Sequence, residues 1–279
     1  MKKLIFLFSC LIAISAKTYA ANDLNFVDTG KRDGPAIVFV HAFPMNQDMW
    51  SEQVEFLKST TRVITFDIRG LGKSKLNGPY TLEFIVDDLI NLLDQLKIEK
   101  AVICGLSMGG FVALRAIERN PTRFVGLVLA DTKSEPDSDK SKMGRYQALK
   151  TIQDQGVEVF TDNFLKTAVA STSAEALKRA TKVALSNTVL GVQSAILALT
   201  SRTDTTPGLS EIQAPTLIIH GELDAVFPIE TAKALHEKIK GSKLAIIPKV
   251  GHLSNLENPA AFNSLLAQFL DGIRKDRSR

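Results

Sequence analysis

The chain is punctuated by six short apolar runs, each followed by a stretch with helical periodicity or a turn signal. They cover residues 36–40, 62–66, 101–104, 125–129, 216–219 and 244–247. Runs of four or five residues without polar alternation suit strands buried on both faces, as in a parallel sheet. Between them, residues 81–96 set Leu82, Ile85, Val86, Leu89, Leu92, Leu93 and Leu96 at helical spacing, with Thr81 able to cap the start. A second helix is expected over 111–119, stopped by Asn120-Pro121, a third over 229–240, stopped by Gly241, and a last over 259–270. Strands alternating with helices predict an α/β fold whose sheet is mostly parallel and flanked by helices.

One stretch breaks this alternation. Residues 133–210 hold no strong strand pattern. Residues 133–140 read as a polar linker, and helical patterns follow, punctuated by Gly156, by Ser171-Thr172-Ser173 and by Gly191. An all-helical cap over one end of the sheet is therefore expected at 133–210, with the core split into 21–132 and 211–279.

The first twenty residues carry a different signature. Lys2 and Lys3 precede an apolar run of 13 residues, and Tyr19-Ala20-Ala21 offers small residues for cleavage after Ala20. A bilayer span needs about 20 apolar residues, so the pattern predicts a cleaved signal peptide at 1–20, a periplasmic or secreted product, and no stable membrane anchor. A lipoprotein reading at Cys10 is disfavoured by the bulky Phe8 before it. This leader changes the charge argument. The whole chain has a formal charge of +4 and a pI near 9.0, values that suggest a nucleic-acid partner. Loss of Lys2, Lys3 and Lys17 with the leader leaves +1, and residues 274–279 supply +3, so the body between carries −2. The basis for nucleic-acid binding disappears. Cys104 is then the single cysteine, which excludes an intramolecular disulfide and fits a small buried hydrophobe.

The chemistry is carried by Gly105-Leu106-Ser107-Met108-Gly109-Gly110, a G-x-S-x-G motif between a strand and a helix. Alone, the pattern arises by chance in roughly one chain in ten of this length. Its setting makes it specific. A serine on a sharp strand-to-helix turn projects its hydroxyl above the sheet, crowds the residues two before and two after, and receives the positive end of the following helix.

A serine nucleophile needs a base, and the base needs an acid to hold its tautomer, in the chain order Ser, Asp or Glu, His. His252 follows the strand at 244–247, and Asp224 follows the strand at 216–219. Both loops lie at carboxyl ends of strands, where open α/β sheets bind ligands. Of the other histidines, His41 precedes the serine, His220 ends a strand and suits a structural role, and His236 lies mid-helix. Asp131, at the end of 125–129, is the alternative acid, and Asp224 could also serve as a cap near Pro228. The backbone N–H groups of Phe43 and Met108 are the expected oxyanion donors, the first from the loop His41-Ala42-Phe43-Pro44. Residues 67–74 lack the glycine spacing of a phosphate loop and read as a structural turn beside the site.

These stretches together resemble the α/β-hydrolase superfamily over nearly the whole mature chain. His41–Pro44 is similar to its HGxP loop, with Ala42 in place of glycine. Residues 67–74 are similar to its DxRGxGxS turn, and residues 105–110 match its nucleophile elbow. Gly105–Gly110, Leu129–Thr132 and Gly251–Glu257 look most like 3-oxoadipate enol-lactonases and related bacterial carboxylesterases. The resemblance implies a serine hydrolase of a small-molecule carboxylic ester or lactone, with catalytic Ser107, His252 and Asp224, a helical cap, and no metal or organic cofactor. Serine at position 107 sets the chain apart from relatives that use aspartate there. Leu149, Phe160, Phe164 and Leu165 from the cap imply an apolar acyl or alcohol group. A slow-turnover ligand sensor, a C–C hydrolase or a perhydrolase would use the same triad.

Overall fold

A computed structural model describes residues 23–277. The leader expected at residues 1–20 lies outside them.

Seven strands form one sheet: β1 (Phe26–Gly30), β2 (Ala36–Val40), β3 (Arg62–Phe66), β4 (Ala101–Leu106), β5 (Phe124–Ala130), β6 (Thr216–Gly221) and β7 (Lys243–Ile247). Their order across the sheet is β1-β3-β2-β4-β5-β6-β7. All neighbouring pairs are parallel except β1 with β3. Successive residues of the strands point to opposite faces and build two cores. On one face Val38, Ile64 and Ile103 meet Leu89 and Leu93 of α2 (Leu82–Gln95) and Val112 of α3 (Met108–Arg119). On the other, Ile37, Val63 and Cys104 meet Trp50, Leu57 of α1 (Ser51–Leu57) and Phe262 and Leu266 of α10 (Pro259–Arg277). Cys104 is fully buried, and burial pushes its thiol well up.

The apolar runs thus mark six strands, and β1 escapes them for a physical reason. It is an edge strand, only partly buried, and its central Asp28 is held by Arg62 at 2.8 Å rather than by apolar packing. The helix α1 is short and carries two glutamates among its seven residues. The helix after the serine begins at Met108, earlier than the pattern suggested, because the elbow glycines form its first turn. The last helix continues past residue 270, where Ile273 is still buried. Thr81 occupies the N-cap position of α2, but its side chain makes no capping bond.

Between β5 and β6 the chain forms four helices: α4 (Asp139–Gln155), α5 (Val157–Ala168), α6 (Ala174–Ala184) and α7 (Val189–Thr200). Gly156 separates α4 from α5 with a positive φ of 96°. Gly191 is not a break, as its type suggested. It lies in the first turn of α7, where a Cβ would stand 1.9 Å from the Gly70 carbonyl oxygen, so glycine permits close approach to the turn at 67–74. Asn187 reinforces that junction: its Nδ2 donates to the Pro44 carbonyl at 2.7 Å, and its Oδ1 accepts from the Gly72 amide at 2.6 Å. The remaining elements are α8 (Ile229–Lys238) after β6 and the single turn α9 (Ser254–Glu257) after β7.

Candidate active site

Ser107 sits between β4 and α3 with φ 55° and ψ −113°, a conformation that non-glycine residues rarely adopt. The surroundings hold it there. Its amide donates to the Ala130 carbonyl at 2.9 Å, and its carbonyl accepts from Thr132 Oγ1 at 2.9 Å. The glycine spacing of the motif is required by contact. A Cβ on Gly105 would lie 2.1 Å from the Gly109 carbonyl oxygen, and one on Gly109 would lie 2.0 Å from the Val40 carbonyl oxygen.

The structure brings Ser107, His252 and Asp224 together. His252 Nε2 is 2.8 Å from Ser107 Oγ, and its Nδ1 is 2.7 Å from Asp224 Oδ2. With Nδ1–H donated to the carboxylate, Nε2 is free to accept from the serine hydroxyl. Asp224 is not a cap of α8, whose N-cap position is Pro228 and has no side-chain capping bond. Asp224 Oδ1 accepts from the amides of Val226 and Phe227 at 2.8 and 2.9 Å, which builds the turn after β6 and leaves Oδ2 for the imidazole.

Asp131 makes no hydrogen bond to His252. It is fully buried at the end of β5, where Oδ1 accepts from the Gly221 amide at 2.8 Å and Oδ2 accepts from the Ser254 hydroxyl. Burial, with the Asp224 charge nearby, holds its carboxyl well above the ordinary range. His220 lies between the two aspartates, with Nε2 on the Phe227 carbonyl at 3.0 Å and Nδ1 3.9 Å from Asp131 Oδ1. Burial lowers its pKa. Asp131, His220 and Asp224 offer metal-ligand atoms within 4.8 Å of one another. All four carboxylate oxygens of this group accept hydrogen bonds from within the protein. His41 is buried and structural: its Nε2 accepts from the Ile68 amide at 2.9 Å. His236 is exposed on α8.

Met108 directly follows Ser107, and Phe43 lies in the loop after β2, the strand that pairs with β4. Met108 opens α3, where first-turn amides have no intrahelical acceptor. Neither amide donates to a protein acceptor within the described residues. Ala42 is accommodated without exposure: its amide contacts Met49 Sδ at 3.2 Å and its carbonyl accepts from Met45 at 2.9 Å.

A cavity of about 300 Å³ runs from Phe43 under the four-helix insertion. Phe160, Phe164, Ile196 and Phe227 line it, and Phe227 meets the His252 ring edge-on at 5.2 Å. The expected apolar wall is only part of it. Lys133, Asp137 and Arg145 also line this cavity, whereas Leu165 is buried in the core and Leu149 packs against it. Sequence reasoning missed Lys133 and Asp137 because they fall in the stretch 133–140 that reads as a polar linker, and Arg145 because it sits on the polar helix α4. A larger depression of about 610 Å³, lined by Ala36, Arg62 and Lys100, lies at the opposite ends of the strands.

Glu257 is a further residue whose role the sequence did not reveal. Its carboxylate accepts from the amides of Gly251 at 2.9 Å and Leu253 at 3.3 Å, the two neighbours of His252, and from Ala170 at 3.0 Å. It therefore pins the His252 loop and the segment after α5 together.

Comparison with known proteins agrees with this architecture. The sequence pattern of the alpha/beta hydrolase fold family matches residues 35–259. Among curated proteins, the chain is 31% identical over 255 residues to 3-oxoadipate enol-lactonase 2 of Acinetobacter baylyi, covering 88% of this chain and 93% of that one. Among solved structures, it superposes with a TM-score of 0.85 on a malate-bound thermophilic esterase from Thermogutta terrifontis, at 32% identity, covering 90% of this chain and 93% of that one. It superposes with a TM-score of 0.82 on the enol-lactonase of Burkholderia xenovorans LB400, at 27% identity, covering 89% and 96% respectively.

Proposed function

The chain belongs to the alpha/beta hydrolase fold family, and on that premise we propose that it hydrolyses a carboxylic ester or lactone through an acyl-enzyme on Ser107. The observation that carries the reading is the continuous hydrogen-bonded line from Ser107 Oγ through His252 to Asp224, at 2.8 and 2.7 Å. Similarity to esterases and enol-lactonases supports the bond type.

The steps follow from the groups present. Ser107 Oγ attacks the carbonyl carbon while His252 Nε2 takes its proton. Asp224 keeps the imidazole in the tautomer that accepts at Nε2 and stabilises the imidazolium that results. The amides of Phe43 and Met108 hold the oxyanion. His252 then gives the proton to the leaving oxygen, and the acyl group remains on Ser107. Water, deprotonated by His252, attacks the acyl carbon, and Ser107 leaves as its hydroxyl is reprotonated. The leader pattern at residues 1–20 supports action in the periplasm or outside the cell.

The test is labelling with a fluorophosphonate followed by mass spectrometry, alongside turnover of p-nitrophenyl esters by wild type and Ser107→Ala. An adduct on Ser107 and many turnovers per chain, lost in the variant, are expected. Absence of the adduct, or turnover retained by the variant, overturns the reading. A single turnover per chain makes the protein a ligand sensor instead. Fractionation of cells, with N-terminal sequencing, tests export: a chain beginning at Ala21 outside the cytoplasm is expected.

A further inference from the structure

We propose that His220 is a positioning residue for the reaction: by donating Nε2–H to the Phe227 carbonyl, it fixes the turn that presents both Asp224 Oδ2 and the Phe227 ring to His252. This rests on the hydrolase reading above and adds to it a residue outside the line from Ser107 to Asp224.

The tautomer of His220 follows from its partners. The imidazole is fully buried near the end of β6. A carbonyl oxygen can only accept, so Nε2, 3.0 Å from the Phe227 oxygen, carries the proton. Burial disfavours the charged ring, which leaves Nδ1 unprotonated. Within the described residues Nδ1 has no hydrogen-bond partner, and Asp131 Oδ1 stands 3.9 Å from it. The titratable groups that face the ring are Asp224 on the same turn, Asp131 at the end of β5, His252 after β7 and Glu230 on α8.

A histidine that only filled space would satisfy one carbonyl and touch nothing else of consequence. Here the bond closes a ring of contacts around Asp224. Phe227 is tied to Asp224 Oδ1 through its amide, at 2.9 Å, and to His220 through its carbonyl. The next residue, Pro228, has no N–H with which to fasten the segment further. The same peptide carries the Phe227 ring, edge-on to the His252 imidazole at 5.2 Å. Nε2 of His220 also stands 3.6 Å from Asp224 Oδ2, the oxygen that lies 2.7 Å from His252 Nδ1. That is beyond a hydrogen bond. A charged ring at this distance would compete with His252 for the carboxylate, whereas a neutral one leaves Oδ2 to His252.

The test is the pH dependence of p-nitrophenyl butyrate turnover by wild type, His220→Gln and His220→Asn, with a melting curve for each. Glutamine Nε2 is as many bonds from Cβ as histidine Nε2 and keeps the donor, whereas the asparagine amide is one bond shorter and falls short of the carbonyl. His220→Gln should stay within about three-fold of wild type in kcat, and His220→Asn should lose roughly ten-fold or more in kcat with little change in KM. The acid limb of kcat/KM should also move to lower pH in His220→Asn and stay in place in His220→Gln, because an imidazolium whose carboxylate is displaced forms less readily. Should His220→Asn not fold, His220→Met serves as the variant without a donor. A folded donorless variant with wild-type kcat and an unmoved acid limb overturns the inference, as does an equal loss in glutamine and donorless variants. If wild type turns the ester over in a Ser107-dependent manner and the variants match it, only this inference fails. If wild type is inactive and Ser107 resists the fluorophosphonate, the hydrolase reading fails and takes this inference with it.

Discussion

The amide of His252 donates to the carbonyl of Ala168, the last residue of α5, at 2.7 Å. The loop that carries His252 is thereby attached to the helical insertion as well as to the sheet. Gly251 shows how tight the junction is, since a Cβ there would stand 2.6 Å from the same carbonyl oxygen.

Glu257 holds this junction from the other side, so Glu257→Gln should misplace His252. A glutamine offers one oxygen where three amides now share two, and its NH₂ would face a donor. Each bond to the charged carboxylate contributes about 1.5–3 kcal/mol. The expected result is a loss of roughly ten-fold or more in kcat with a smaller change in KM, since about 1.4 kcal/mol of misalignment suffices for that. Steady-state kinetics on a p-nitrophenyl ester decides it; an effect on KM alone would mean that the carboxylate serves binding.

Asp224→Asn should fold and fail. The asparagine oxygen can keep the amides of Val226 and Phe227, while its NH₂ meets His252 Nδ1 and forces the wrong tautomer. A fall of roughly 10³–10⁴-fold in kcat is expected, by analogy with the same change in a serine protease triad, with the melting temperature within a few degrees of wild type. A variant that retains a tenth of the activity would point to a different acid.

Asp131 should show itself in stability instead. Its folded pKa lies well above the ordinary 3.8, so its contribution is complete below that pH and declines as pH rises through the folded value. Wild type should therefore contain a component of melting temperature that decreases upward from about pH 4. Asp131→Asn, which has no ionisable group at this position, should lack it. Melting curves for both proteins across the pH range check this, and parallel profiles would contradict it.

Two glycine substitutions should have opposite signs. Gly109→Ala drives a Cβ to within 2.0 Å of the Val40 carbonyl oxygen, a backbone atom with no room to retreat. A cost of about 3 kcal/mol or more and loss of activity are expected. Gly272→Ala lies in α10 with nothing within 4 Å, and should stabilise by about 0.5–1 kcal/mol through helix propensity. Denaturant titration of both variants measures the pair.

What could be read from the sequence follows from which forces are local. Strands buried on both faces announce themselves as apolar runs, so six of the seven were legible, and β1 was not, because its edge position and the Asp28–Arg62 pair leave no such run. Ser107 was fixed by neighbours two residues away. Choosing Asp224 over Asp131 was harder, since both end strands on the same side of the sheet. The difference lies in where the carboxylate oxygens point, toward His252 in one and toward Gly221 and Ser254 in the other. Glu257 and Lys133 were silent for a related reason. Glu257 acts on Ala170, far away in the chain, and Lys133 has the composition of a linker residue.

The ties made by Asn187 and Glu257 have a consequence for traffic through the cavity. The turn between α6 and α7 is fastened to Pro44 and Gly72, and the end of α5 to the His252 loop. A hinged lid swinging as one body would break all of these bonds at once. The helix α4 is different: of its 17 residues only Ile152 is buried, and Ser141, Gly144 and Arg145 line the cavity directly. None of the ties made by Asn187 and Glu257 falls on α4, so the wall it contributes is held by its packing on α5 and α7 and by the Arg145–Asp137 pair rather than by the loops around Ser107 and His252.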